Sequence, residues 1–139
     1  MPTRPSQRLA SLEVVKGVAA YRPRGDYSLV EAVELVSNAI AYCRDGGVTK
    51  LLIDVTKITG VSIPTLVDRF LMVEEWAQES GGTVAVVLVA LPEYIHPEKF
   101  GVKVAAHLGL VCDVHTSEEA AWKWLREIDA NTFGNGEGH

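Results

Sequence analysis

Cysteine is scarce in this 139-residue chain: its two copies, Cys43 and Cys112, lie far apart. With no CxxC spacing, neither a disulfide scaffold, a zinc module nor a redox motif is suggested. Both sit in apolar patterns, where a free thiol behaves as a small hydrophobe. Long hydrophobic runs are missing as well. The longest, Val84 to Leu91, is far too short to cross a bilayer. Leu12 to Tyr21 is interrupted by Glu13 and Lys16, so no signal-peptide core follows the basic start. No basic block exists either. Thirteen basic residues against eighteen acidic leave a net charge of −5, a poor basis for holding nucleic-acid phosphates. These absences read as a reduced, cytoplasmic protein with no membrane span and no nucleic-acid partner. The chemical fingerprints GxGxxG, GxxxxGKS/T, HExxH and GxSxG are absent too. The expectation is therefore a chain that is not an enzyme, with no cofactor, metal or catalytic residue.

What is present is an ordinary globular composition, 47% apolar and 22% charged. Residues 1–10 read as a loose leader, 11–130 as a single domain, and 131–139 as a Gly-rich flexible tail. Ser11–Val15 and Val18–Arg22 read as a hairpin around Lys16-Gly17. Ser28 and Glu31 then have capping-box spacing, ahead of a stripe at Leu29, Val33, Val36, Ile40 and Cys43, with Ala32 and Ala39 beside it. Asp45-Gly46-Gly47 closes that helix, and Lys50–Val55 follows as a strand.

A second helix is expected from about Pro64, with Leu66, Val67, Phe70, Val73 and Ala77 inward. Thr83–Ala90 is apolar at nearly every position, as in a strand covered on both faces of a parallel sheet. A third helix has Pro97 near its start, Phe100, Val104 and Leu108 on one side, and Gly109 at its end. Leu110–Val114 is the next strand. Thr116 and Glu119 have the spacing of a capping box for a last helix, with Ala121, Trp124, Leu125 and Ile128 inward. The fold class is α/β: a mixed, mostly parallel sheet with covering helices, in the order ββαβαβαβα.

Several residues invite chemistry. His107-x4-Cys112-x2-His115 carries ligand-type side chains, but strand alternation turns Cys112 and Val114 to one face and Asp113 and His115 to the other. His96 and His107 fall near helix ends, where they have backbone groups to meet. A nucleophile would need Ser62 or a cysteine beside His96 or His115. The most informative stretch is Leu51 to Phe70, LLIDVTKITGVSIPTLVDRF. Asp54 ends a buried strand on the side where open α/β sheets bind ligands. Thr56, Lys57, Thr59, Ser62 and Thr65 then lead to a helix N-terminus that favours anions, which makes this an anion, phosphorylation or partner-binding loop. The plainer reading has Asp54, Thr56 and Thr59 shaping the turn and Ser62 capping the helix.

This segment and the element order resemble the STAS domain, the fold of anti-sigma-factor antagonists. The stretch FGVKVAAHLGLVCDVHTSEEAAWKWL is similar to the closing helix, strand and helix of that family, and to its uncharacterised bacterial SpoIIAA-like branch, also related in shape to lipid carriers. The resemblance covers about residues 11–128. It implies a regulatory module whose loop serine is phosphorylated by a partner kinase. Laying Asp54 on the family's strand-end aspartate puts Ser62 at its second aspartate, and Ile63 and Pro64 at its two serines. The phosphoacceptor is missing from its place, and Ser62 and Thr65 are the nearest substitutes.

Two functions stay open. One is a non-catalytic interaction or small-ligand module, with Trp122 on the flank of the last helix as an anchor for a homodimer. The other is a small enzyme or lipid carrier with a pocket at the carboxyl edge of the sheet. A lined cavity touching His96, His115 or Asp54 favours a ligand or catalysis; a flat apolar patch favours a partner.

Overall fold

The computed structural model describes residues 12–128. The proposed leader and tail lie outside these residues. Strands β1 (Leu12–Val15) and β2 (Val18–Tyr21) pair antiparallel. Their turn is Lys16-Gly17, with φ of 53° and 81°, the double left-handed geometry that matches strand twist in tight hairpins. The chain continues through β3 (Gly25–Asp26), α1 (Leu29–Gly46), β4 (Lys50–Asp54), β5 (Ile58–Thr59) and α2 (Leu66–Ser80). It ends with β6 (Ala85–Val89), a single 3-10 turn at Pro92–Tyr94, α3 (Phe100–His107), β7 (Cys112–His115) and α4 (Glu118–Ile128).

The main sheet has the order β1-β2-β4-β6-β7, and every neighbouring pair after β1/β2 is parallel. This is the expected α/β architecture and element order. The expected list lacked the small parallel pair β3/β5, in which Gly25 faces Ile58 and Asp26 faces Thr59. Two residues per strand leave no periodicity to read.

Alternation divides the core in two. Leu51, Ile53 and Val86 face α1, α2 and α3, meeting Val36, Ile40, Val73, Trp76 and Ala105. Leu52, Ala85 and Val87 face α4, meeting Ala121, Leu125 and Ile128. Val86 and Val87 are both fully buried, because β6 lies inside the sheet with helices on either side.

The helix ends match some of the capping signals and shift others. The Ser28–Glu31 box is formed reciprocally, and Gly47 closes α1 at φ 76°. The cap of α2 is Thr65, whose hydroxyl accepts from the Asp68 N–H while Asp68 accepts from the Thr65 N–H. Ser62 does not cap; it lies exposed three residues earlier. The α2 stripe is also rotated from expectation. Leu66, Val67 and Phe70 are 52%, 67% and 41% exposed, whereas Val73, Trp76 and Ser80 are buried. Two anchors impose that rotation: the Trp76 indole donates to the Val33 carbonyl at 3.2 Å, and Glu75 accepts from Ser37. The expected start of the third helix around Pro97 moves to Phe100, after Lys99 at φ 51°, and Leu108 lies beyond its end, exposed. At α4, Ser117 rather than Thr116 bonds the first turn, accepting from the Ala120 N–H at 3.2 Å.

Candidate functional site

A cavity of about 140 Å³ opens at the carboxyl edge of the sheet, beneath α1, α2 and α3. Val33 and Val36 of α1, Met72 and Trp76 of α2, and Leu88, Cys112 and Val114 of the sheet form its walls. The segment from Leu91 to Val102 closes one side, contributing Tyr94, Ile95, His96 and Lys99. Apolar walls with few polar groups are the usual make-up of a small-ligand site.

Three basic side chains stand on this lining, Arg69, His96 and Lys99, and no aspartate or glutamate does. Arg69 reaches from α2 and donates through Nη1 to the Tyr94 carbonyl at 3.0 Å. The Tyr94 hydroxyl in turn donates to the Val61 carbonyl at 2.7 Å, so the 91–99 segment is tied to both the α2 entry and α2 itself. His96 accepts the Glu98 N–H through Nδ1 at 3.1 Å, and its ring centroid lies 6.0 Å from that of Phe100. Lys99 pairs with Asp113 at 2.9 Å. The Cys112 thiol is pushed up to about 12 by burial, with Asp113 adding to the effect, so it stays protonated and apolar in the wall.

The loop residues singled out in the sequence are not brought together around a ligand. Asp54 folds back on its own turn, accepting from the Thr56 N–H at 2.9 Å and the Thr56 hydroxyl at 2.6 Å. Thr59 donates to Asp26 at 3.0 Å across β3/β5. Gly60 sits at φ 85°, where a Cβ would fall 2.5 Å from Asp26 Oδ1. Lys57 and Ser62 are exposed, and Thr65 is the α2 cap. The histidine–cysteine run separates as alternation requires: Cys112 lines the cavity, while His115 Nε2 lies 3.1 Å from Asp113 on the strand's other face. His107 is exposed at the end of α3. Among the described residues, no three His, Cys, Asp or Glu side chains converge as metal ligands.

A second polar cluster went unread in the sequence. Arg22, just past β2, donates through Nε and Nη2 to both carboxylate oxygens of Glu118 at 2.8 Å, and to Glu13 at 3.1 Å. The Arg22 hydrogen bonds hold the Glu118 carboxyl down to about 2 against the opposing effect of burial. This clasp joins the start of α4 to the carboxyl end of β2 and to β1. Its members are 96 positions apart in sequence, a separation that no local signal bridges. Arg69 was missed for a related reason: it stands inside an apolar pattern and reads there as a solvated face. Trp122 is half-buried and packs with Trp124 against the core on the α4 side.

Among the described residues no helix is long and apolar enough to cross a membrane. No family model matches the chain, and no curated protein matches it. Among solved structures it is similar to the anti-sigma factor antagonist SpoIIAA in its unphosphorylated form, at 18% identity and a TM-score of 0.47, over 83% of this chain and 96% of that one.

Proposed function

We propose that this chain is a non-catalytic, STAS-like regulatory module that holds a small, largely apolar ligand in the cavity between α1, α2 and α3. One observation carries the reading: a walled apolar cavity at the carboxyl edge of the sheet, with Arg69, His96 and Lys99, among the described residues, its only charged or titratable lining residues besides Tyr94 and a protonated Cys112. Asp54, Thr56, Thr59 and Thr65 are meanwhile engaged in a turn, the β3/β5 pair and the α2 cap. That supports a binding role for the pocket over a phosphorylation switch at Thr65. The one thiol in the wall is not activated as a nucleophile, which is in keeping with a binding role.

A ligand that binds only the folded state raises the melting temperature with its concentration. Indole, neutral and aromatic, is predicted to raise the melting temperature of the full chain in a saturable way. Ala32→Phe, which places a ring inside the cavity, is predicted to abolish that rise. No saturable rise in the wild type, or an equal rise in the variant, would contradict the reading.

A second reading rests on a different observation. Ile63, Leu66, Val67, Phe70 and Leu71 form an exposed apolar face at the start of α2. Such faces commonly mark partner surfaces. A homodimer formed there accounts for the patch better than one through the half-buried Trp122.

A further inference from the structure

We propose that the ligand of this pocket is a small amphipathic anion, with a hydrocarbon body among Val33, Met72 and Trp76 and its anionic head at Arg69 and His96. The inference rests on the pocket reading above and adds the chemical class of the ligand.

Size comes first. The cavity measures about 140 Å³. A protein cavity of ~150 Å³ lined by aliphatic and aromatic side chains takes up benzene, so a body of roughly six carbons is the right scale. Charge comes second. Among the described residues no carboxylate pairs with Arg69, and the lining contains no acidic side chain. A half-buried guanidinium facing hydrocarbon is costly unless something offsets its charge.

Among the described residues its one bond goes to the Tyr94 carbonyl, and a guanidinium has five N–H donors in a fixed fork. A carboxylate fits that fork in two-point geometry. Tyr94 is two residues from His96, so this bond brings the fork to the same turn as the imidazole. The Nδ1 of His96 already accepts the Glu98 N–H, which leaves Nε2 as the donor nitrogen of the neutral ring. Lys99 is neutralised by Asp113 and plays no direct part. The head group is therefore recognised by Arg69, with His96 beside it.

Calorimetric titration of the full chain with hexanoate, hexan-1-ol and hexylamine tests this, because the three are unbranched six-carbon molecules with head groups of different charge. Hexanoate is expected to bind about tenfold more tightly than hexan-1-ol, the scale of one charge-assisted contact, and protonated hexylamine more weakly than either. Arg69→Gln is expected to bring hexanoate down to the affinity of hexan-1-ol measured in the same variant, and cooperative thermal unfolding reports that the variant is folded. Should Arg69→Gln fail to fold, Arg69→Lys keeps the charge without the fork and is expected to retain only part of the preference. Hexanoate binding no better than hexan-1-ol in the wild type overturns the proposal and leaves the pocket reading standing. A preference that survives Arg69→Gln also overturns it. Binding of none of the three overturns the pocket reading and this inference together.

Discussion

At the scale of single residues, the Arg22–Glu118 pair has a consequence for stability against pH. Both carboxylate oxygens of Glu118 accept from one guanidinium, a geometry stronger than a single-point ion pair. Arg22 is 38% exposed, so solvent screens much of that gain, and about 1 kcal/mol is a fair scale at neutral pH. The Glu118 carboxyl is held down to about 2 from an ordinary 4.5. A depressed carboxylate stabilises the fold above its unfolded pKa and loses that contribution as pH falls from 4.5 through about 2. Glu118→Gln should therefore be less stable than wild type by about 1 kcal/mol at pH 7 in chemical denaturation. The gap should narrow steadily below pH 4.5. A gap that is absent at neutral pH, or that persists unchanged in acid, would contradict the clasp.

At the scale of elements, the cap of α2 separates two serine/threonine candidates that looked alike in the sequence. Thr65 and Asp68 bond each other's backbone, whereas Ser62 stands outside the helix. Thr65→Ala should cost about 0.5–2 kcal/mol in denaturant unfolding, and Ser62→Ala close to nothing. The reverse order would show that the helix begins earlier than described. This region also shows how far the sequence could be read. The hairpin turn, the Ser28–Glu31 box, the apolar β6 and the split of Cys112 from Asp113 follow from local chemistry: left-handed turn residues, capping spacing and strand alternation. The facing of α2 does not, because Leu66, Val67 and Phe70 are as apolar as the residues that do face inward. Only the contacts of Trp76 with Val33 and of Glu75 with Ser37 settle its rotation, and these come from another helix. The same limit hid the candidate site. Asp54 and Thr56 announced themselves as a polar loop, yet they satisfy each other. Arg69, His96 and Met72 share a pocket only because α2 and the 91–102 segment meet there.

At the scale of the whole molecule, one face of the sheet carries three helices and the cavity, and among the described residues the other is closed by α4 alone. The exposed start of α2 adjoins the cavity, since Pro64 and Arg69 on the same stretch line it. Light scattering of the full chain at micromolar concentration should give a dimer that Val67→Glu converts to monomer. A wild-type monomer would remove the second reading, and a Val67→Glu dimer would move the interface elsewhere. The claim on which the account turns, however, is that the cavity is a dry apolar site able to hold a ligand. Xenon enters such cavities without needing any polar recognition. A crystal of the full chain pressurised with xenon should show an atom bound among Val33, Met72 and Trp76; a map with the Leu91–Lys99 segment collapsed onto α2 and no xenon between them would contradict the account.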